Sequence, residues 1–97
     1  MYRLRYLPLA DLDMEEAEAY WNEHHPPAAA TLADALVQKT DGLINNPFIY
    51  KVYEERPYFR CMPLPFGYLC FYHVDEYEKI ISVHRILRGM RDISKIL

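Results

Sequence analysis

Arg60, Arg85, Arg88 and Arg91, with His84 beside Arg85, are the residues of this chain whose types could do chemistry. Guanidinium groups fork onto phosphate oxygens and could stabilise the charge that develops when a phosphodiester is cleaved. An imidazole with an ordinary pKa of about 6.5 could serve the same reaction as acid or base. Arg60 and Arg85, on alternating strands, can project from one sheet face. His84 and Arg85 are successive residues and point to opposite faces of a regular strand, so they share one compact site only if a bulge intervenes. Each also has a plain structural reading. The arginines can be solvated or paired with Glu54, Glu55, Asp75 and Asp92, and His84 can lie half buried against helices.

Other candidates are weaker. The nine tyrosines, Tyr68, Tyr72 and Tyr77 among them, could stack on bases but suit the amphipathic edge of a small core. His24-His25, Cys61, Cys70 and His73 show none of the spacings of a zinc site, so neither metal nor cofactor is expected. A hairpin turning at Pro65-Phe66 would set Cys61 opposite Cys70 and make the pair redox-capable, while two thiols packed in a reduced core is the ordinary state. There is no Gly-rich phosphate loop, nucleophile elbow or paired-carboxylate signature.

The elements that must position these residues follow from periodicity. Tyr2 to Leu7 alternates and is rich in Tyr and Leu, which predicts a strand ended by Pro8. Ala10, Met14, Ala17 and Trp21 form an apolar stripe at spacings of 4, 3 and 4, which predicts a helix from Leu9 to Glu23. His25-Pro26-Pro27 breaks it. A second helix begins near Ala28, carries Leu32, Leu36, Thr40 and Leu43 on one side, and stops at Asn45-Asn46-Pro47. The short break makes the two an antiparallel hairpin.

Phe48 to Pro57 reads as loop, with room for a short strand around Tyr50 to Tyr53. Tyr58 to Leu64, Phe66 to Val74 and Lys79 to Leu87 read as a three-strand meander. In the middle run Phe66, Tyr68, Cys70 and Tyr72 share one face and Leu69 and Phe71 the other, so this strand should be central. Met90 to Leu97 can make a short helix or an arm. The predicted class is α+β, order β-α-α-β-β-β, an antiparallel sheet with a helical hairpin on one face, in one domain over residues 1–97.

Composition bounds the function. The chain is 52% hydrophobic with 3 Gly, which describes a protein able to fill a core. It has no apolar run of the roughly 20 residues a membrane span needs and no signal-peptide pattern at its start, so a cytoplasmic protein with no membrane partner is expected. Residues 1–50 hold three basic against eight acidic residues, and residues 51–97 hold eight against six. A net charge of −3 disfavours tight non-specific binding to nucleic acid, so no direct DNA binding is expected, and a protein partner fits better.

Gly67-Tyr68-Leu69-Cys70-Phe71-Tyr72-His73-Val74-Asp75-Glu76, followed by Ile81-Ser82-Val83-His84-Arg85-Ile86-Leu87-Arg88-Gly89-Met90-Arg91-Asp92, resembles the C-terminal half of the RelE/ParE toxin family of type II toxin-antitoxin systems. The opening strand, the acidic first helix, the helix ending in Asn-Pro and Arg60 fall in the family's order, so the resemblance spans nearly the whole chain. It implies the β-α-α-β-β-β fold, a cognate antitoxin, plasmid stabilisation, and growth arrest by the free toxin.

On mechanism the resemblance divides. The ParE-like branch implies inhibition of DNA gyrase by protein binding, without covalent chemistry, through Arg85, Arg88 and Arg91. The RelE-like branch implies a ribosome-dependent mRNA endoribonuclease in which Arg60 and Arg85 hold phosphate charge and His84 is acid or base. Leu69 stands where such nucleases often carry Arg, and Ser94-Lys95-Ile96-Leu97 has neither Tyr nor His, so the ParE-like branch is closer and an enzyme is not the leading expectation. A diverged, non-toxic antitoxin-binding module is the third alternative.

Overall fold

Apolar stripes of two helices meet the apolar face of a sheet in the computed structural model, which describes residues 1–89 and 93–97. The elements are β1 (Arg3–Tyr6), α1 (Pro8–His24), α2 (Pro26–Asn45), β2 (Arg60–Pro63), β3 (Tyr68–Asp75), β4 (Ile80–Arg88) and a single C-terminal turn, α3 (Ile93–Ile96). Both long helices begin earlier than the sequence predicts, at Pro8 and Pro26 rather than Leu9 and Ala28. Prolines in a first turn lose nothing, because the amides there have no intrahelical acceptor. His25 alone separates α1 from α2, and its N–H closes α1 on the Trp21 carbonyl at 2.7 Å.

The sheet order is β1-β4-β3-β2. The meander β2-β3-β4 is antiparallel as expected, and β1 joins it in parallel beside β4. Direction follows from the chain path. The antiparallel helices return the chain to the end of the sheet where β1 starts, so β2 must run as β1 does, and two reversals later β4 runs that way again.

The main core lies between hairpin and sheet. Ala10, Met14, Ala17, Leu32, Leu36 and Leu43 meet Met62, Cys70, Tyr72, Ile81, Val83 and Ile86 there. Full burial of a side chain such as Leu32 or Leu43 contributes about 1.5–3 kcal/mol. The opposite sheet face carries a second cluster of Phe59, Phe71, Leu87 and Ile93, bordered by Tyr53, Cys61, Leu69 and Leu97. Residues 50–61 fold over this edge by the Val52–Arg60 bridge and by Tyr53 N–H to Phe59 O at 2.8 Å. This double cover is why both faces of β3 are apolar.

Two expectations are corrected at the β2–β3 turn. The turn is a 3-10 turn of Pro65–Gly67, not a two-residue hairpin at Pro65-Phe66, and the third residue slips the register by one. Cys61 therefore lies opposite Phe71 and Cys70 opposite Met62, on different sheet faces, and both thiols are free. Phe66 leaves the strand altogether. Its φ of 62° and that of Gly67 at 79° are the left-handed geometry that the turn needs.

Thr40 occupies an apolar-stripe position of α2 because its hydroxyl is satisfied. It donates to Leu36 O at 2.7 Å and sits 2.8 Å from the Tyr6 hydroxyl, which ties β1 to α2. Burial foremost raises the Tyr6 pKa. Thr40→Val should leave the Tyr6 hydroxyl short of its partner and cost about 1–2 kcal/mol. Urea titrations of Thr40→Val, Tyr6→Phe and the double variant check this. The double variant should lose less than the two singles added together.

Candidate functional site

The candidate residues are sorted by one irregularity in β4. Register runs Phe71–Arg85 and then Tyr72–Val83, so His84 is an extra residue and the strand is bulged there. Val83 and Ile86 both face the helices, three residues apart, where a regular strand would oppose them. His84 faces away from the helices and Arg85 reaches toward them. The bulge sets both between two helix-facing residues, but their side chains part: Arg85 turns at the sheet edge to Asp13 of α1, while His84 packs against Tyr58 and Phe59.

Arg85 is committed to α1. β1 stops level with Val83, so beyond it β4 has no strand on that side, and α1 covers the gap. Asp13 Oδ2 accepts from Arg85 Nε at 2.8 Å and from the Ile86 N–H at 2.9 Å, and Oδ1 accepts from Arg85 Nη2 at 3.0 Å. The two side chains are 19% and 10% exposed. The hydrogen bond that Arg85 donates to Asp13 leads in raising the Arg85 pKa.

His84 is half buried, but not against the helices as the sequence suggests. Its ring lies edge-on to Tyr58 and Phe59, 5.8 and 5.0 Å between centroids. Burial, then His73 and Arg5, hold its pKa below the ordinary value. His73 stacks on Tyr58 at 3.8 Å and donates through Nδ1 to Tyr58 O at 2.9 Å. Arg5 donates through Nε to Ser82 Oγ at 2.8 Å on the same face. Tyr58, His73, Arg5 and Ser82 are thus a polar and aromatic surround for His84 that the sequence reading missed. Alternation in β1 and β3 was the available signal, but it becomes specific only once the register is known.

The other arginines sit elsewhere. Arg60 lies opposite Tyr72 and so shares its helix-side face, donates through Nη1 to Tyr50 O at 2.7 Å and stacks over Phe48 at 4.8 Å. Its partners are in the loop after α2, whereas those of Arg85 are in α1. Arg88, at the end of β4, lies over Trp21 at 5.0 Å and over Tyr20 and Tyr68 at 5.8 Å each. Arg91 lies outside the described residues. Arg85 and His84 are chain neighbours, yet among the described residues no side-chain hydrogen bond or ring contact joins Arg60, Arg85 and His84 to one another.

A family model described as "ParE toxin of type II toxin-antitoxin system, parDE" matches residues 4–93. No curated protein matches the sequence. Among solved structures the chain is similar to one described as the chromosomal ParDE TA system from P. aeruginosa, with a TM-score of 0.76 at 20% identity over 93% of this chain and 98% of that one. It is also similar to one described as the intact E. coli RelBE toxin-antitoxin complex, with a TM-score of 0.64 at 19% identity over 94% and 100%. At these identities the structural likeness speaks to the fold alone.

Asp13→Ala should cost about 2–4 kcal/mol, since it strands a largely buried guanidinium and the Ile86 amide together. Chemical denaturation checks it, and Asp13→Asn should recover part of the loss. For His84 the sign runs toward acid instability. The unfolded chain takes a proton near pH 6.5 that the folded chain resists, so stability is full above that pH and falls as pH drops through the lowered folded value. Melting temperatures of His84→Gln should fall less than those of the parent chain between about pH 7 and pH 5.

Proposed function

The chain belongs to the ParE toxin family of type II toxin-antitoxin systems, and from that membership we propose a cytoplasmic toxin that arrests growth by gripping DNA gyrase and is neutralised by a cognate antitoxin. The observation that carries the gyrase reading is that the candidate residues are engaged by separate partners. A nuclease centre built on Arg60, Arg85 and His84 would need them around one phosphate, and here the two guanidiniums already hold Tyr50 O and Asp13 while His84 packs against Tyr58 and Phe59. Binding without bond cleavage asks for less. It needs an accessible, preformed surface, and Arg85, Arg88 and Arg91 are the proposed contacts.

The antitoxin reading draws on shape and surface. Leu9, Leu12 and Val37 are each more than half exposed on the helical hairpin, and β1 and β2 are sheet edges. An amphipathic helix or an extended segment of the antitoxin would cover such apolar surface and such an edge.

Purified protein is expected to block supercoiling by gyrase and to leave ribosome-bound mRNA intact, with Arg88→Ala relieving the block at least tenfold. Codon-positioned cuts in a translation extract, lost in Arg60→Ala or Arg85→Ala, would establish the endoribonuclease instead. Unimpaired growth on induction without antitoxin would point to a non-toxic binding module and sink both.

A further inference from the structure

The corner where α1, the Pro65–Gly67 turn and the end of β4 meet holds aromatic residues at the surface around one cation. Tyr20 is 43% and Phe66 40% exposed, Trp21 packs against Phe66 at 5.2 Å, and the Trp21 indole N–H donates to Tyr68 Oη at 3.1 Å. Arg88 is exposed and lies over the rings of Tyr20, Trp21 and Tyr68. Trp, Tyr and Arg are the residue types that dominate the energetics of protein interfaces, and aromatic stacking removes much of the rotamer freedom that a free arginine would lose on binding.

Two further features separate this corner from ordinary surface. Phe66 holds a left-handed backbone, φ 62°, which a bulky side chain adopts at a cost of order 1–3 kcal/mol and which here turns its ring outward. Arg88 donates through Nε to Phe66 O at 3.2 Å, and its two terminal nitrogens make no hydrogen bond to the described residues. Arg56 and Arg85 are different. Arg56 places its two on Ser94 O and Leu97 O, and Arg85 directs Nη2 at Asp13. Beside Arg88 opens a cavity of about 310 Å³ lined by Tyr20, Tyr68, Leu87 and two carboxylates, Asp13, already paired with Arg85, and Glu16.

The geometry points to a recognition site for a polypeptide segment that presents one carboxylate beside an aliphatic or aromatic side chain. The carboxylate takes the outer edge of the Arg88 guanidinium in a two-pronged contact, and the apolar neighbour enters the cavity against Tyr20, Tyr68 and Leu87, beside the Trp21–Phe66 pair. Glu16 limits the site to a single carboxylate by repelling a second. Nothing in this depends on gyrase or on toxicity.

The chain has one tryptophan, Trp21, so its emission reports the corner directly. The full chain is titrated with two capped, tryptophan-free octapeptides, one with a Glu between Leu and Phe and the other with Gln in its place. Saturable change in Trp21 emission should be at least tenfold tighter for the Glu peptide, should weaken about tenfold in Arg88→Lys and should vanish in Arg88→Ala. Phe66→Gly relieves the backbone strain, so its melting temperature should hold or rise while peptide affinity falls. Equal affinity for the two peptides, no saturable change with either, or a Phe66→Gly chain that loses stability and keeps its affinity would each overturn the site.

Discussion

The Asp13 carboxylate is the point on which the rest of the molecule turns. With two oxygens it satisfies both donors of the Arg85 fork and the Ile86 amide that the end of β1 leaves without a strand partner. Helix α1 is thereby fixed to the bulged segment of β4 at one height and one angle. Ala10, Met14 and Ala17 can then meet Ile81, Val83 and Ile86 in register. A neutral side chain at position 13 could pack there, but it could not hold a guanidinium and an amide at once.

Because α1 is held in this way, the bulge at His84 becomes a permanent division of labour. At the sheet edge beyond β1, Asp13 draws Arg85 into the scaffold. The open side of the bulge leaves His84 among Tyr58, Phe59, His73 and Arg5 in an environment that favours the neutral imidazole. Beyond the bulge β4 continues to Arg88, whose position over Trp21 depends on the same α1 placement. A surface for holding another protein can thus be rigid without any of its residues being arranged for bond cleavage.

The two apolar clusters divide the molecule differently. The main core joins the α1–α2 hairpin to β2, β3 and β4, while the smaller cluster is made by the 50–61 segment and α3 folding over the open face. Arg56 joins those last two by its hydrogen bonds to Ser94 O and Leu97 O. One guanidinium thus ties the C-terminal turn to the loop that covers the second cluster.

The sequence by itself determined the element order, the hairpin, the central β3 and the family. Each of these rests on local periodicity or on a contiguous motif: the 3.6-residue stripe from Ala10 to Trp21, the two-faced run from Tyr68 to Val74, the segment from His84 to Asp92. Only the tertiary structure decided which arginines are available, because that turns on partners far along the chain. Nothing local marks Asp13 as the partner of Arg85 at a separation of 72 residues. Nor does alternation reveal a bulge or a three-residue turn, since either one slips the two-residue period and exchanges the faces of everything beyond it. The turn parted Cys61 from Cys70, and the bulge moved Leu87 to the face away from the helices.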